Sequence, residues 1–311
     1  MNKTLTLVVP CYNEFQIIES SCEKLTNKLN ELIDESLISE NSILLLVDDG
    51  SSDNTWSIIE KVSKKYGTVK GVKLSHNVGH QKALYAGLCE SKTEMTISLD
   101  ADLQDDINAI KTMIEQHYQG YEIVYGVRKS RISDSFFKRN SAKAFYWFLN
   151  KFNSKQIENH ADYRLLGRAA LNALLGYKES NLYIRGLIPQ LGFNCTSVYY
   201  ERKIREAGES KYPLRKMLSL ALTAITSTTT TPLRLITYIG LIIALLSFAG
   251  GMYAIYVKLT MDSIDGWASL MTSIFFLGGV QLTALGIIGE YVGRIYIESK
   301  HRPKFIIEDK T

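Results

Sequence analysis

Short apolar runs alternate with longer amphipathic stretches through the first 126 residues. The apolar runs predict buried strands, and the stretches between them predict helices. Buried strands that alternate with helices are typical of the α/β class, with a mostly parallel sheet covered by helices on both faces. The predicted strands are Leu5–Pro10, Ile43–Val47, Val69–Leu74, Met95–Leu99 and Glu122–Gly126, and the predicted helices are Glu14–Leu37, Asp53–Tyr66, Gln81–Glu90 and Ile107–Gln119.

Polar clusters directly follow three of the predicted strands. Tyr12-Asn13-Glu14 follows the first strand, Asp48-Asp49 the second, and Asp100-Ala101-Asp102 the fourth. Ligands of such sheets bind outside the carboxyl ends of the strands. The sequence therefore predicts one shared site at this edge of the sheet, rather than three separate solvated loops.

Asp100 and Asp102, with Gln104 close behind them, are candidate ligands of a hard divalent cation. Two carboxylates at i and i+2 in a turn can converge on one ion, and Mg²⁺ or Mn²⁺ completes its shell with phosphate oxygens and water. A solvated loop is the plainer alternative for an isolated D-x-D. The chain has neither a G-x-x-x-x-G-K-[ST] loop nor a G-x-G-x-x-G turn after the first strand, so a metal and basic side chains are expected to hold any phosphates.

From residue 128 onward, basic residues are mixed with aromatics. Residues 128–151 contain seven Lys or Arg, one acidic residue and six Phe, Tyr or Trp. A helix at about 134–152 in the headgroup region of an anionic leaflet fits this pattern, and an ordinary domain helix with a charged face is the alternative. A second amphipathic helix is expected at 213–232, with a shared apolar face of Leu214, Met217, Leu218, Ala221 and Ile225.

Two uncharged runs, 235–257 and 266–289, are each long enough to cross a bilayer. As helices they span roughly 35 Å, against a hydrocarbon core of about 30 Å. The loop between them is acidic, whereas Lys and Arg are frequent on the outer flanks, so the positive-inside rule places both termini in the cytoplasm. The expected organisation in the cell membrane is a cytoplasmic globular domain (1–212), the juxtamembrane helix (213–232), a membrane hairpin (233–297) and a cytoplasmic tail (298–311).

Charge and cysteine content exclude some classes of function. The formal net charge of +4 is too small to indicate a nucleic-acid partner. The four cysteines form no C-x-x-C pair, which is typical of reduced cytosolic thiols rather than of a disulfide or zinc framework. Glycines in both uncharged runs permit close packing of helices, so a homo-oligomer is expected, with a tetramer as the working hypothesis.

Seven motifs in order along nearly the whole chain resemble family 2 glycosyltransferases, in the branch of dolichyl-phosphate mannose synthase and the bactoprenol-phosphate glucosyltransferases. The resemblance implies a GT-A catalytic domain, Rossmann-like with a mostly parallel sheet, followed by interfacial helices and two transmembrane helices. The motifs are VVPCYNE (8–14), VDDGSSD (47–53), LDADLQD (99–105), YGVRKSR (125–131), ADYRLL (161–166), YIRG (183–186) and REAGESKYPLRKM (205–217).

The resemblance also implies a reaction, the transfer of a hexose from a nucleotide sugar to a polyprenyl phosphate such as undecaprenyl phosphate, with Mg²⁺ or Mn²⁺ as cofactor. UDP-glucose is the leading donor, and UDP-N-acetylhexosamine and GDP-mannose are the alternatives. A single displacement predicts inversion at the sugar carbon, and a small membrane flippase is an expected partner. A processive polysaccharide synthase would need more spans and a Q-x-x-R-W motif, which is absent. A non-catalytic membrane scaffold is the alternative from another class.

Individual residues receive roles from the same resemblance. The base and ribose of the donor are expected against Pro10, Tyr12, Glu14, Val47 and Asp49. The donor diphosphate is expected at Asp100, Ala101 and Asp102, with the metal on Asp100, Asp102 and Gln104. Arg205 and Lys211, in a loop with Gly208, are expected to act in catalysis and to close over the donor. The acceptor phosphate is expected at Arg128, Arg139 and Lys143.

Two further assignments concern titratable residues. Asp162 is a candidate for positioning or for general-base work, and an ion pair with Arg164 is the alternative. A base is less necessary for a phosphate acceptor than for a sugar hydroxyl, because a phosphomonoester is already largely anionic at neutral pH. His76 and His80 invite a metal-ligand interpretation, but with Gly79 between them and no third ligand near, a loop or helix-start role is favoured.

Overall fold

A computed structural model describes residues 3–128, 160–179, 183–201 and 266–311, together with isolated positions between 236 and 252. The chain divides into two compact units, one formed by Met1–Tyr212 with Arg302–Thr311 and the other by Pro213–His301. The expected helices at 134–152 and 213–232, and nearly all of the expected span at 235–257, lie outside the described residues. They stay predictions.

The first unit is built around one mixed sheet with helices between its strands. Its strands are β1 (Leu5–Cys11), β2 (Ile43–Asp48), β3 (Val69–Leu74), β4 (Met95–Ser98), β5 (Ile123–Arg128), β6 (His160–Gly167), β7 (Cys195–Tyr200) and β8 (Ile307–Lys310). Its helices are α1 (Ile18–Asp34), α2 (Thr55–Lys65), α3 (His80–Glu90), α4 (Ala109–Tyr118), α5 (Arg168–Leu175) and α6 (Ile184–Leu187), the last followed by a 3₁₀ turn over Ile188–Leu191.

The described sheet has the order β7-β5-β6-β4-β1-β2-β3-β8. The adjacent strands β4, β1, β2 and β3 are all parallel to one another, and β5 runs parallel to β7. Strand β6 lies antiparallel between β4 and β5, and β8 lies antiparallel to β3. The expectation of a mostly parallel, Rossmann-like sheet is confirmed, with two antiparallel strands added.

Apolar side chains from the strands fill a core on each face of the sheet. Along β1, Leu7 and Val9 point into the core covered by α1 and α4, whereas Val8 points into the core covered by α3 and α5. This alternation follows from the two-residue period of a strand, and a continuous apolar run is what a strand buried on both faces requires. Helix α3 lies so close to β1 that a Cβ on Gly87 would meet Val8 Cγ1 at 2.3 Å.

The C-terminal segment, which the sequence separates from the globular domain as a tail, belongs to the first unit. Strand β8 pairs with β3, and the Thr311 hydroxyl accepts the Gly71 N–H at 2.7 Å. Phe305 packs edge-on against Tyr85 of α3, and the Lys304 ammonium lies over the same ring. The boundary at 298 is therefore revised, because these contacts make residues 302–311 part of the folded domain.

The second unit contains α7 (Trp267–Ser299), a helix of 33 residues. Within the described part of the chain, one segment, Phe276–Ser299, is long and apolar enough to cross a membrane by length and composition. None of that segment is buried within the protein, and large apolar side chains such as Leu282 and Leu285 are exposed. The helix covers residues 267–289 of the expected span at 266–289 and continues ten residues beyond it.

Candidate active site

The three polar clusters predicted from the sequence do meet at one edge of the sheet. Strands β4, β1 and β2 are adjacent and parallel, so their carboxyl ends lie side by side. Tyr12 follows β1, Asp49 follows β2 and Asp100 follows β4. The shared edge is thereby confirmed as the place where polar side chains concentrate.

The loops after β1 and β2 are joined by hydrogen bonds. The Asn13 side-chain oxygen accepts the Ser52 N–H at 2.9 Å, and the Asn13 N–H donates to the Ser51 hydroxyl at 2.9 Å. The Glu14 N–H donates to the Thr55 hydroxyl, also at 2.9 Å. These bonds fix a pair of loops in which Tyr12 is half exposed. Below them, Pro10 and Val47 oppose each other in the β1–β2 pair.

Asp49 connects the loop after β2 to the loop before α3. Its two carboxylate oxygens accept the Val78 N–H at 2.8 Å and the Gly79 N–H at 3.0 Å. Only 2% of Asp49 is exposed; burial raises the pKa of its carboxyl, and these two hydrogen bonds oppose the rise. Its neighbour Asp48 caps a turn by accepting from Ser51. The expected contact of Asp49 with a base stays a prediction, and the described contacts are structural.

A tight turn after β4 presents the two aspartates of the D-x-D motif. The Leu103 N–H donates to the Asp100 carbonyl at 3.3 Å, and the Gln104 N–H donates to Asp102 Oδ1 at 3.3 Å. The Ala101 carbonyl accepts the Ser21 hydroxyl of α1 at 2.7 Å, which holds the turn against the domain. Gln104 itself is buried. The turn thus places two carboxylates, at positions i and i+2, on a loop anchored through its backbone.

Asp100 is an accessible acidic group of this edge, with 41% of its side chain exposed. Protein surrounds its remaining sides, and this desolvation raises the pKa of its carboxyl. The charge of His80 opposes the rise, while the carboxylates of Asp162, Asp105 and Asp102 add to it. Such crowding of like charges favours a bound cation.

The antiparallel strand β6 brings Asp162 to the same edge. Ser98, the last residue of β4, opposes Arg164 in the β4–β6 pair. Because the two strands run in opposite directions, continuing past Ser98 leads to Asp100, whereas β6 reaches the same level at Asp162. The Ser98 hydroxyl also donates to the Asp162 carbonyl. The two aspartates therefore share one end of the sheet although 61 residues separate them in the sequence.

Asp162 is a buried carboxylate at the centre of a network of hydrogen bonds. Arg185 donates to it through Nε at 3.0 Å and through Nη2 at 2.8 Å. Arg164 donates to Oδ1, and Gln81 Nε2 donates to Oδ2 at 3.1 Å. His80 Nε2 lies 3.3 Å from Oδ2 and 3.7 Å from Asp100 Oδ1. The ion pair with Arg164, the alternative considered from the sequence, is present.

These partners determine what Asp162 can do chemically. Burial would raise the pKa of its carboxyl, but the His80 hydrogen bond and the Arg164 and Arg185 guanidinium groups outweigh burial and hold the pKa well below its usual range. For His80, burial lowers the pKa, and the bond to Asp162 with the Asp100 charge outweighs that effect and raises it. A carboxylate with so low a pKa takes up a proton poorly, so the contacts favour positioning over base work.

The basic residues expected at the phosphates are only partly described. Arg128 donates through Nε to Asp105 Oδ1 at 3.1 Å, which places it beside the D-x-D turn, and its side chain is partly exposed. For Arg128, burial would lower the pKa, but the Asp105 charge outweighs burial and raises it. The other four expected residues, Arg139, Lys143, Arg205 and Lys211, lie outside the described residues, so their roles stay predictions.

Three residues of this edge have no chemical role in the sequence interpretation: His80, Gln81 and Arg185. Arg185 belongs to the YIRG motif, which carries part of the family resemblance, so its motif was the available signal. His80 was assigned a helix-start role, and it is indeed the first residue of α3. Its second role, contact with Asp162, depends on a strand that the periodicity did not reveal.

Comparison with family models places the site in a known context. Residues 6–174 match the model described as glycosyl transferase family 2, and residues 231–295 match the GtrB C-terminal hairpin. The chain belongs to glycosyltransferase family 2. The three-strand edge with its D-x-D turn lies within the matched catalytic region, and the expected spans lie within the residues matched by the hairpin model.

The similarity to individual relatives extends over nearly the whole chain. An uncharacterised glycosyltransferase of Bacillus subtilis, YkoT, is 49% identical over 98% of this chain and 91% of its own. The bactoprenol glucosyl transferase of Shigella phage SfV is 39% identical over 98% of both chains. Among solved structures, mannosyl-3-phosphoglycerate synthase of Rubrobacter xylanophilus is 15% identical with a TM-score of 0.48 over 71% of each chain, a level that carries no argument about substrates.

Proposed function

We propose that this family 2 glycosyltransferase moves a hexose from a nucleotide sugar to a polyprenyl phosphate at the cytoplasmic face of a membrane. The observation that carries the proposal is the carboxyl edge of the sheet, where the Asp100–Asp102 turn faces a cationic network built on Asp162. Carboxylates suited to a metal and guanidinium groups suited to phosphate lie at one edge. Full-length similarity to bactoprenol glucosyl transferases supports the lipid acceptor.

The residues present fit a divalent cation that shares its shell with substrate. Within the described ranges, no group of three or more His, Cys, Asp or Glu could hold a metal ion by itself. Mg²⁺ and Mn²⁺ sites of this kind use one or two carboxylates and complete the shell with phosphate oxygens and water. Asp100 and Asp102 would hold the ion, with Gln104 as the third expected ligand. When bound, the ion neutralises negative charge on the leaving diphosphate.

The reaction is a single displacement at the anomeric carbon. An oxygen of the lipid phosphate attacks C1 as the bond from C1 to the nucleoside diphosphate breaks, so the configuration inverts. The attacking oxygen is already anionic near neutral pH, because the second pKa of a phosphomonoester is about 6. No proton has to be removed from it. This chemistry agrees with an Asp162 whose low pKa suits it to orient Arg185 and His80.

The membrane role rests on the C-terminal part of the chain. Helix α7 exposes apolar side chains over a segment long enough to span a bilayer, and the hairpin model covers both expected spans. A two-span hairpin with cytoplasmic termini keeps the catalytic domain on the side where nucleotide sugars are made. A polyprenyl phosphate is then reachable, since its headgroup lies at the membrane surface.

The donor is proposed to be UDP-glucose, with UDP-N-acetylhexosamine and GDP-mannose as alternatives. Several relatives are named bactoprenol glucosyl transferases, which supports glucose. A panel of radiolabelled nucleotide sugars tests both donor and acceptor, with purified protein, undecaprenyl phosphate and Mg²⁺ or Mn²⁺. The proposal predicts that one donor gives label that is extractable into organic solvent and sensitive to EDTA. Absence of lipid label from every donor would contradict it.

A further inference from the structure

Two arginines share the single carboxylate of Asp162, and their surroundings differ. The Arg164 side chain on β6 is only 1% exposed, and the side chain of its partner Asp162 is also buried, at 5% exposed. Arg185 on α6 contacts the same carboxylate, but 41% of its side chain is exposed. Burial of a charge is costly unless an opposite charge compensates it, and Arg164 already compensates Asp162. Arg185 is therefore not needed to neutralise the buried carboxylate.

The group formed by Asp162, Arg164 and Arg185 carries a surplus positive charge as a result. One carboxylate faces two guanidinium groups, and the exposed member of the pair carries the surplus to the surface. That surface adjoins His80, which lies between Asp162 and Asp100. A surplus cation next to the D-x-D turn is suited to receive an anion, and a divalent cation held by Asp100 and Asp102 would supply phosphate oxygens as that anion.

We infer that Arg185 binds a phosphate group of the substrate, an inference that rests on the proposed function. The guanidinium group has two edges that can each form a pair of hydrogen bonds. The edge formed by Nε and Nη2 is used on Asp162, at 3.0 and 2.8 Å. The edge formed by Nη1 and Nη2 points away from that carboxylate and has the fork geometry that matches two oxygens of a phosphate.

The network also orders the Arg185 side chain before a phosphate binds. The Asp162 carboxylate is fixed by Arg164 and by the Gln81 amide, which donates to it at 3.1 Å. The backbone carbonyl of Asp162 also accepts the Ser98 hydroxyl. The guanidinium plane is set by a bidentate contact with a carboxylate that cannot rotate freely. A side chain ordered in advance loses less entropy when the ligand binds.

A purely structural role makes a different prediction. In that case Arg185 would only connect α6 to β6, and its loss would lower the melting temperature without changing the affinity of the folded protein for phosphates. Two phosphate sources fit the inference, the diphosphate of the donor and the monophosphate of the lipid. Binding to inorganic diphosphate with Mg²⁺ reports the first, and binding to undecaprenyl phosphate reports the second.

The test measures binding of both phosphate probes by four full-length proteins in detergent. They are wild type, Arg185→Gln, Arg185→Lys and the matched control Arg168→Gln. Arg168 donates to the Ser91 carbonyl at 2.9 Å, away from the carboxylate cluster. We expect both Arg185 variants to weaken binding of at least one phosphate probe by about tenfold, since lysine keeps the charge but lacks the second edge. Arg168→Gln should stay within twofold of wild type. The probe that loses affinity identifies the phosphate source.

Two results would overturn the inference: a wild type that binds neither probe, or folded Arg185 variants that bind both probes within twofold of wild type. Melting temperatures establish which variants are folded. If Arg185→Gln fails to fold, Arg185→Lys still tests the inference, because lysine keeps the ion pair with Asp162. The donor panel separates this inference from the proposed function. Lipid product with unchanged Arg185 variants overturns only the inference, whereas Arg185-dependent phosphate binding without lipid product overturns only the function.

Discussion

Arg164 and Asp162 form an ion pair in which both side chains are buried, on the strand that completes the carboxyl edge of the sheet. A buried guanidinium is tolerated because a carboxylate accompanies it. The pair therefore matters to folding as well as to the site, and the two contributions can be separated by mutation.

Asp162→Ala should lower the free energy of unfolding by about 3 kcal/mol, because it leaves the Arg164 charge buried without its partner. The double variant Asp162→Ala/Arg164→Met removes the stranded charge and should recover much of that loss. Denaturant unfolding in detergent measures both. A double variant no more stable than the single one would show that Arg164 does not depend on Asp162.

His117 gives a prediction about pH. Its Nδ1 donates to the Tyr121 carbonyl at 2.8 Å, so the neutral ring accepts from the Lys3 ammonium at Nε2, 3.0 Å away. Burial, joined by the Lys3 charge, lowers the pKa of His117 against the opposing Tyr121 bond. The unfolded chain, with a histidine pKa of about 6.5, then binds the proton first as pH falls.

The stability that His117 contributes is thus fully present above about pH 6.5 and is lost as pH falls towards its lower folded pKa. His117→Gln should remove this dependence, so the stability advantage of wild type should shrink between pH 7 and pH 5. Unfolding curves at several pH values measure it. A constant difference between the two proteins across that range would contradict the assignment.

Gly50 should not tolerate a side chain. Its φ is 63°, and a Cβ there would meet the His76 carbonyl carbon at 2.5 Å. Gly50→Ala is expected to cost about 1–3 kcal/mol of stability and to weaken donor binding, because the backbone that Asp49 fixes must shift. Gly192→Ala is the control, with φ 74° and open space around it, and should cost about 1 kcal/mol without affecting donor affinity. Equal effects of the two variants on donor affinity would refute this account of the loop.

Strand β8 should be required for the stability of the catalytic domain. Ending the chain after Pro303 removes the pairing with β3 and the packing of Phe305 on Tyr85. The melting temperature should fall by about 5 °C or more. Lys310→Gln, which removes only an exposed ion pair with Glu90, should change it little. If the truncated chain melted like wild type, the segment would be a dispensable tail.

Strands β1 and β2 were predictable because each is a largely continuous apolar run, as a strand covered on both faces must be, whereas β3 has only Val69, Val72 and Leu74 as large apolar residues. Strand β6 was not predicted, since the buried charged residues Asp162 and Arg164 interrupt its apolar run, and its antiparallel insertion between β4 and β5 is not a local property. Strand β8 was missed for another reason. Its residues, Ile307 to Lys310, are mostly charged and exposed, and within this strand only Ile307 packs against the core.

The same distinction applies to the site. Residues that follow the predicted strands, such as Asp100 and Asp49, could be assigned to one edge from the topology rule alone. His80 and Gln81 begin α3, Arg185 lies on α6, and all three contact Asp162 of β6, so their proximity is a tertiary fact that no local pattern encodes. Asp49 shows the converse: its position was predicted, but its two backbone partners at 78 and 79 were not.

The central claim is that the Asp100–Asp102 turn supports transfer of sugar to a lipid phosphate. The most direct test measures organic-extractable label from the active nucleotide sugar with wild type, Asp102→Asn and the control Asp106→Asn. Asp106 lies on the same loop, and its carboxylate accepts the Asn108 N–H at 3.1 Å, a bond that asparagine can keep. We predict at least roughly a 100-fold loss for Asp102→Asn, with wild-type folding, and near-normal transfer for Asp106→Asn. Normal transfer by a folded Asp102→Asn protein would contradict the account.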